Sequence, residues 1–356
     1  MRSQNAPPYI PHVLEKLGYE PQMARHVAAD ATIGRVLRVD RGLASVLTES
    51  GPHRASFGGS VLNRMAQDPL QAPCTGDWCV LRDWPGRRTT LEGLLPRRTA
   101  VVRAVAGEQS HGQVLCANVD IAAVVVALHP LPVMARVERL ATLAWESGAQ
   151  PLVVLTKTDQ VRDADELAED VAVAVPGVDV VLASANTGQG IEELRGRLDG
   201  RLTMALLGAS GHGKSSLTNA LVGAEVLATR EIRQDGRGRH TSVRRELVPL
   251  PTGGAVVDTP GLRGVGLIDA EAGLGHTFAD VEGYAGHCRF ADCAHHGEPG
   301  CAVAAAVENG DLPLRRFESW QRLQRELDRI AARQDARLRV ERGREWMRRR
   351  DARRAR

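Results

Sequence analysis

Eight consecutive residues, Gly208-Ala209-Ser210-Gly211-His212-Gly213-Lys214-Ser215, have the types and spacing G-x-x-x-x-G-K-[ST]. Glycines so placed let successive backbone N–H groups curl around phosphate oxygens, and a helix starting there adds partial positive charge. In this arrangement Lys214 reaches the β- and γ-phosphates, and the Ser215 hydroxyl holds Mg²⁺. The chemistry needs a strand leading in and a helix leading out. Residues 202–207 form an apolar run that predicts the strand, and 216–222, starting at Ser216, predict the helix. The stretch reads as a site for nucleotide phosphates.

Further segments bear on the same chemistry. A short apolar strand at 255–257 ends in Asp258-Thr259-Pro260-Gly261. An acid at the end of such a strand is placed to hold Mg²⁺ through water, so Asp258 and Ser215 would bracket one ion. The adjacent Gly261 can turn its N–H toward a γ-phosphate. Gly236-Arg237-Gly238-Arg239-His240-Thr241-Ser242 reads as a basic loop that a ligand would order. Thr156-Lys157-Thr158-Asp159 follows another apolar run. There Asp159 can accept two N–H bonds from a guanine edge, which adenine does not offer. Discrimination by satisfied against orphaned polar groups reaches about 10⁴-fold or more. Ser184-Ala185 ends a further strand, where a backbone N–H can meet the guanine O6.

The order of these segments is unusual. In most GTPases the phosphate motifs precede the base motifs, whereas here Thr156 to Asp159 and Ser184-Ala185 come before Gly208, Thr241 and Asp258. The cassette is circularly permuted. The loop after Asp258 therefore leads directly into the C-terminal part, which can receive the nucleotide state.

That C-terminal part holds Cys288-x4-Cys293-x-His295-x5-Cys301. Three thiolates and an imidazole can close a tetrahedral Zn²⁺ shell, and four protein ligands leave no open position, so the expected site is structural. His287 and His296 are competing ligand candidates. The other cysteines, Cys74, Cys79 and Cys116, read as buried thiols.

Only three of the 46 basic residues are lysines, and two of these, Lys157 and Lys214, stand in the nucleotide motifs. An Arg fork cannot replace a compact ammonium in a phosphate loop. Charge is uneven along the chain. Between Arg315 and Arg356 there are 16 arginines against seven acids, a local +9 that leaves −6 on the rest of a chain whose net charge is +3. A basic tail on a mildly acidic body points to a polyanionic partner. The longest clean apolar run, 121–128, is far too short to span a bilayer, and the N-terminus leads into prolines rather than a signal core. A cytoplasmic protein without membrane association is expected, and nothing in the sequence demands a dimer.

The elements that must position these residues follow from patterning. Residues 1–30 read as a partly ordered extension. Short strands at 33–39, 43–48, 54–57, 78–84 and 100–105, with turns between them, suit an OB-type β-barrel over 31–108. Arg87, Arg88, Arg97 and Arg98 give it a basic surface suited to RNA backbone. From about 114 strands alternate with helices, the pattern of a parallel sheet, which makes 109–274 a permuted P-loop domain of α/β type. Residues 275–356 are expected to be a zinc-binding, helical unit with an apolar stripe at Trp320, Leu323, Leu327 and Ile330.

Permuted motif order, a barrel before it and a Cys3His cluster after it resemble the family of ribosome-small-subunit-dependent GTPase A (RsgA), circularly permuted bacterial GTPases. The matching stretches are Gly208 to Ser216, Gly238 to Thr241, Asp258 to Gly261, and Cys288 to Cys301 followed by Ala302-Val303. The resemblance implies GTP hydrolysis coupled to late maturation of the 30S ribosomal subunit, with 16S rRNA as partner, Mg²⁺ with GTP, and one structural Zn²⁺. The alternative is a GTP-dependent RNA-binding switch that hydrolyses little. Leu262, next after Asp258 to Gly261, cannot orient water as a Gln does. The resemblance points instead to His240 as the catalytic residue, beside a Mg²⁺-binding Thr241. Thr156 stands where the family commonly has Asn, which is expected to weaken a tether to the P-loop. His212 replaces a residue that is usually apolar.

Overall fold

Period-two alternation builds the first unit of the computed structural model, which describes residues 13–28, 31–86, 88–104, 112–227, 245–262 and 266–334. Strands β1 (Thr32–Asp40), β2 (Leu43–Thr48), β3 (Gly51–Phe57), β4 (Trp78–Trp84) and β5 (Arg88–Leu94) close into a barrel of order β1-β2-β3-β5-β4. Along β2, Ala44, Val46 and Thr48 turn inward while their neighbours stay half exposed. Helix α1 (Gly59–Gln67) joins β3 to the segment before β4 and adds Val61 to a core containing Leu81 and Leu91.

The fifth barrel strand is not the one expected from the sequence. Gly86 adopts φ 82°, a left-handed turn that sends Arg88–Leu94 back along β4 as an antiparallel hairpin. Strand β6 (Ala100–Ala104) lies outside the barrel and pairs with β7 (Gly112–Ala117). This hairpin spans the boundary expected near residue 108. Arg97, read as an RNA-facing cation, is engaged internally: it pairs with the fully buried Asp77 carboxylate at 2.7 Å and donates to the carbonyls of Leu70 and Ala72. Arg98 pairs with Asp120 at 3.2 Å, Arg88 is exposed, and Arg87 lies outside the described residues.

A six-stranded sheet follows, in the order β10-β9-β8-β11-β13-β12. Its members are β8 (Ile121–Ala127), β9 (Gln150–Thr156), β10 (Asp179–Ala183), β11 (Thr203–Leu207), β12 (Glu246–Pro249) and β13 (Ala255–Asp258). All neighbours are parallel except the edge pair β12–β13. Every residue of β8 is buried, as a central parallel strand requires. Ala122, Val124 and Val126 face α2 (Met134–Glu146) and the C-terminal helices, whereas Ile121, Ala123 and Val125 face α4 (Ile191–Arg197) and α5 (Lys214–Val222). Helix α3 (Ala164–Ala174) adds Val171 to the first of these faces. Residues 246–249 carried no sequence signal strong enough to predict β12, a four-residue edge strand.

Within the described part of the N-terminal segment, residues 14–17 pack against the rest of the chain. Leu14 and Leu17 are buried, the Gly254 amide donates to the Lys16 carbonyl at 2.7 Å, and Arg35 of β1 donates to the carbonyls of Leu17 and Asn118. Arg35 is itself buried over the ring of Trp78, and that burial lowers its pKa to about 10. Barrel, N-terminal segment and sheet domain are thus tied at one residue.

At the other end come α6 (Glu271–Thr277), α7 (Ala279–Ala285), α8 (Ala302–Asn309) and α9 (Leu314–Gln334). Trp320, Leu323, Leu327 and Ile330 of α9 are buried, and at roughly 1.5–3 kcal/mol each this stripe dominates the docking of the helix. Beneath it, Glu138 of α2 is fully buried and accepts from Arg315, Arg316 and Ser319. Arg316 is also buried, held by Asp280 and by the carbonyls of Ala174 and Thr277. Among the described residues no helix is long and apolar enough to cross a membrane.

Candidate active site

Every described nucleotide motif leaves the carboxyl end of a parallel strand. Thr156 to Asp159 follow β9, Ser184 follows β10, Gly208 follows β11, and Asp258 ends β13. In open α/β sheets that edge is where ligands bind. The chain reaches it in permuted order, yet the spatial result is one continuous rim.

The P-loop is built by close approach and by helix geometry. A Cβ at Gly208 would lie 2.4 Å from the Val125 carbonyl oxygen, so only glycine lets the loop hug β8. Gly213, at φ 81°, caps α5 and aims the first amides of the helix into the loop. Lys214 is buried, and its ammonium donates to the carbonyls of Gly208 and Ala209 at 3.0 and 2.9 Å. Burial lowers the Lys214 pKa to about 8, opposed by the nearby Asp258 charge. A phosphate would supply the counter-charge that this ammonium lacks.

The metal side is prepared in the same way. Ser215 Oγ donates to Asp258 Oδ2 at 2.7 Å, while Asp258 Oδ1 is buried with no hydrogen-bond partner among the described residues. Burial raises the Asp258 pKa, with Ser215 and Lys214 acting against it. An orphaned carboxylate oxygen beside a serine hydroxyl and the phosphate loop is a donor set that suits Mg²⁺. Gly261 lies against Ser210, where a Cβ would come within 2.6 Å of backbone, so the D-T-P-G turn and the P-loop touch. Thr241 and His240 lie outside the described residues.

On the base side, Asp159 Oδ1 accepts from Ser184 Oγ at 2.6 Å and Oδ2 from Asn186 Nδ2 at 3.1 Å. The Ser184 hydrogen bond is the main reason the Asp159 pKa is lowered, so this acceptor stays ionised. Thr158 Oγ1 donates to Gln189 Oε1 at 2.6 Å. Asn186 and Gln189 were missed from sequence; the Asn-Thr-Gly-Gln run after β10 is the signal that could have found them. Lys157 adopts φ 61° and reaches the His129 carbonyl at 3.4 Å.

Thr156 bears on the tether expected to be weakened. Its hydroxyl donates to the His212 carbonyl at 2.7 Å, so the tether from the base motif to the P-loop is present. A threonine Oγ suffices because the Gly213 position brings the loop within reach of the side chain. The His212 ring is half-buried with Nδ1 3.0 Å from the Val125 carbonyl, and burial lowers its pKa.

The C-terminal cluster is separate. One ligand atom from each of Cys288, Cys293, His295 and Cys301 falls within a 4.8 Å span. His295 Nδ1 stands 3.6 Å from Cys288 Sγ and 3.4 Å from Cys301 Sγ, and these two sulfurs are 4.0 Å apart. Zn–S bonds near 2.3 Å and Zn–N bonds near 2.0–2.1 Å put tetrahedral ligand atoms roughly 3.4–3.8 Å apart, so the donor set fits Zn²⁺. His287 is turned to the Gly283 carbonyl and His296 is exposed, which leaves His295 as the imidazole of the cluster. Cys301 also caps α8, its sulfur accepting from the Ala304 amide. Cys74, Cys79 and Cys116 are buried, and burial raises the thiol pKa values of all three.

Comparison with known proteins adds an independent line. A family model described as RsgA GTPase matches residues 94–268. The chain is 47% identical over 352 residues to the small ribosomal subunit biogenesis GTPase RsgA of Streptomyces avermitilis, covering 97% of this chain and 93% of that protein. With the protein of the same name from Streptomyces coelicolor it shares 49% identity over 330 residues, 92% of this chain and 88% of that one. Among solved structures, YjeQ from Thermotoga maritima superposes with a TM-score of 0.59 at 26% identity, over 83% of this chain and 98% of that chain. YloQ, described as a circularly permuted GTPase, superposes with a TM-score of 0.56 at 23% identity, over 87% and 99%, a likeness of fold.

Proposed function

The chain belongs to the RsgA family of GTPases, and from that premise we propose that it hydrolyses GTP in biogenesis of the small ribosomal subunit. The observation that carries the reading is the rim itself. A phosphate loop with a buried, charge-hungry Lys214, an orphaned Asp258 oxygen and a pre-set Asp159 carboxylate line one edge of one sheet.

Each residue has a role in this proposal. The amides of Gly208 to Ser216 cradle the phosphates, and Lys214 leaves its carbonyl partners to pair with the β- and γ-oxygens. Ser215, Asp258 and Thr241 hold Mg²⁺, which neutralises phosphate charge when bound. Asp159 reads the guanine N1–H and N2–H, with Thr156, Lys157, Thr158, Ser184 and Ala185 shaping its surroundings. His240 positions the attacking water, a role supported by the family resemblance. Cys288, Cys293, His295 and Cys301 hold one structural Zn²⁺. The barrel, the zinc unit and the Arg-rich tail contact rRNA of the subunit, and the chain acts as a cytoplasmic monomer.

The test is turnover of GTP and ATP, with and without purified small ribosomal subunits. Slow GTP turnover that subunits accelerate is expected. No acceleration overturns the assembly role, equal turnover of ATP overturns the base assignment, and an unchanged rate in His240→Ala overturns the water-positioning role.

A further inference from the structure

The middle of the phosphate loop carries few side chains that could hold its shape. Gly211 and Gly213 adopt φ 84° and 81°, and neither has a side chain to fix that turn. His212 stands between them and is anchored twice. Its backbone carbonyl accepts from Thr156 Oγ1 at 2.7 Å, which ties it to the end of β9. Its ring reaches the next strand of the sheet, with Nδ1 3.0 Å from the Val125 carbonyl of β8. A carbonyl only accepts, so Nδ1 carries the proton.

Pairing of β11 with β8 ends at Leu207 and Val124, where β11 turns into the loop. The Val125 oxygen still faces that side, since a Cβ on Gly208 would lie 2.4 Å from it. The imidazole N–H thus takes a backbone acceptor just past the last ladder pair, a bond that no apolar side chain can make. Burial lowers the His212 pKa against the pull of the Val125 bond, and the charges facing the ring act with burial: Lys214 of α5, Arg136 of α2 and Lys157 beyond β9. The ring is therefore neutral near pH 7, with its one proton on the bonding nitrogen.

This anchor matters most when nucleotide enters. Lys214 donates to the carbonyls of Gly208 and Ala209, and the loop loses those bonds once the ammonium turns to phosphate. The His212 amide is only weakly engaged, 3.4 Å from the Ala209 carbonyl, which leaves its N–H for an incoming oxygen.

We propose that the His212 imidazole is a positioning residue for nucleotide binding. It holds the turn at 211–213 against β8 while Thr156 holds it against β9, so that the amides of the turn meet the phosphates. The ring acts through its own backbone and touches no nucleotide. The inference rests on the GTPase reading above.

The experiment uses the full chain and three variants, His212→Val, His212→Asn and His212→Gln. The amide nitrogen of Asn lies as many bonds from Cα as Nδ1 does, whereas that of Gln lies a bond farther out. GDP affinity is measured by calorimetric titration, and GDP release with a fluorescent analogue. His212→Val is expected to weaken GDP binding about 3- to 10-fold, the scale of one neutral hydrogen bond, and to speed release by a similar factor. His212→Asn keeps the donor in place and is expected to bind within about twofold of the natural chain, whereas His212→Gln follows His212→Val. Two results overturn the proposal: GDP affinity unchanged in His212→Val, or equal losses in His212→Val and His212→Asn. Should His212→Val fail to fold, equal affinities in His212→Asn and His212→Gln overturn it as well. No GDP binding by the natural chain would sink the nucleotide reading and this proposal with it, whereas GDP binding without stimulation of turnover by small ribosomal subunits would sink the assembly role alone.

Discussion

Thr156→Val removes one hydroxyl and keeps the shape of the side chain. In the structure that hydroxyl donates to the His212 carbonyl at 2.7 Å, with the Val126 carbonyl 3.4 Å away. Thr156 is 5% exposed, so water has little access to replace the lost donor. Leaving a carbonyl unpaired in such surroundings costs about 1–2 kcal/mol. The bond is part of the folded structure, so its loss first lowers folding stability by that amount. A released loop then samples conformers that cannot cradle phosphate, and up to the same amount moves into the cost of binding. At 1.4 kcal/mol per decade this weakens GDP binding by about 5- to 30-fold. Calorimetric titration with GDP at 25 °C and the release rate of a fluorescent GDP analogue both measure it, and Thr156→Asn should bind GDP as the natural chain does. GDP affinity and melting temperature both unchanged in Thr156→Val would refute the tether. A lowered melting temperature with unchanged affinity would mean that the loop holds its shape without it.

Further outcomes follow from the same geometry. Asp159→Asn replaces the acceptor that Ser184 and Asn186 orient, and the preference for GTP over ATP should fall by about 10³-fold or more in competition binding; retained preference removes the base-reading role. Metal analysis should find one zinc per chain, and Cys293→Ser should lose it and melt earlier; zinc retained at full occupancy contradicts the four-ligand set. Burial lowers the Lys214 pKa to about 8 from the ordinary 10.5, so the unfolded chain binds more protons between these values and the folded chain gains stability as pH rises through that window. Nucleotide needs the ammonium, so GDP binding should weaken about fivefold from pH 8 to 9, and a flat affinity profile would contradict it. Glu138→Ala strips Arg316 and Ser319 of a buried acceptor but leaves Asp280 on Arg316, so denaturant unfolding should show a loss of about 3 kcal/mol, the low end for breaking a buried pair. A loss below about 1 kcal/mol would show that the network contributes little.

The chemistry of this chain was legible in its sequence wherever it sits in consecutive residues. Gly208 to Ser215 needs only its own backbone to form a phosphate cradle, and Cys288 to Cys301 carries all four ligands of the cluster within 14 residues. Motif order alone disclosed the permutation, and the apolar runs at β8, β9 and β11 announced a parallel sheet, because full burial on both faces leaves an unbroken apolar signature. What only the tertiary structure decided involves partners far apart along the chain. The partner of Thr156 could not be read locally, because its bond to His212 spans 56 residues and depends on how closely the two strands' ends approach. Arg97 looked like an RNA ligand until Asp77 and two carbonyls claimed its guanidinium. Strand β5 hid behind its Arg-Thr-Thr start and needed the Gly86 turn to place it, whereas residues 100–104 satisfied the same pattern outside the barrel. Spacing favoured His295 while leaving His287 and His296 as competitors, and the fold of the loop brings His295 to the three cysteines. Local patterns state which groups are available; burial and long-range hydrogen bonding decide which of them meet.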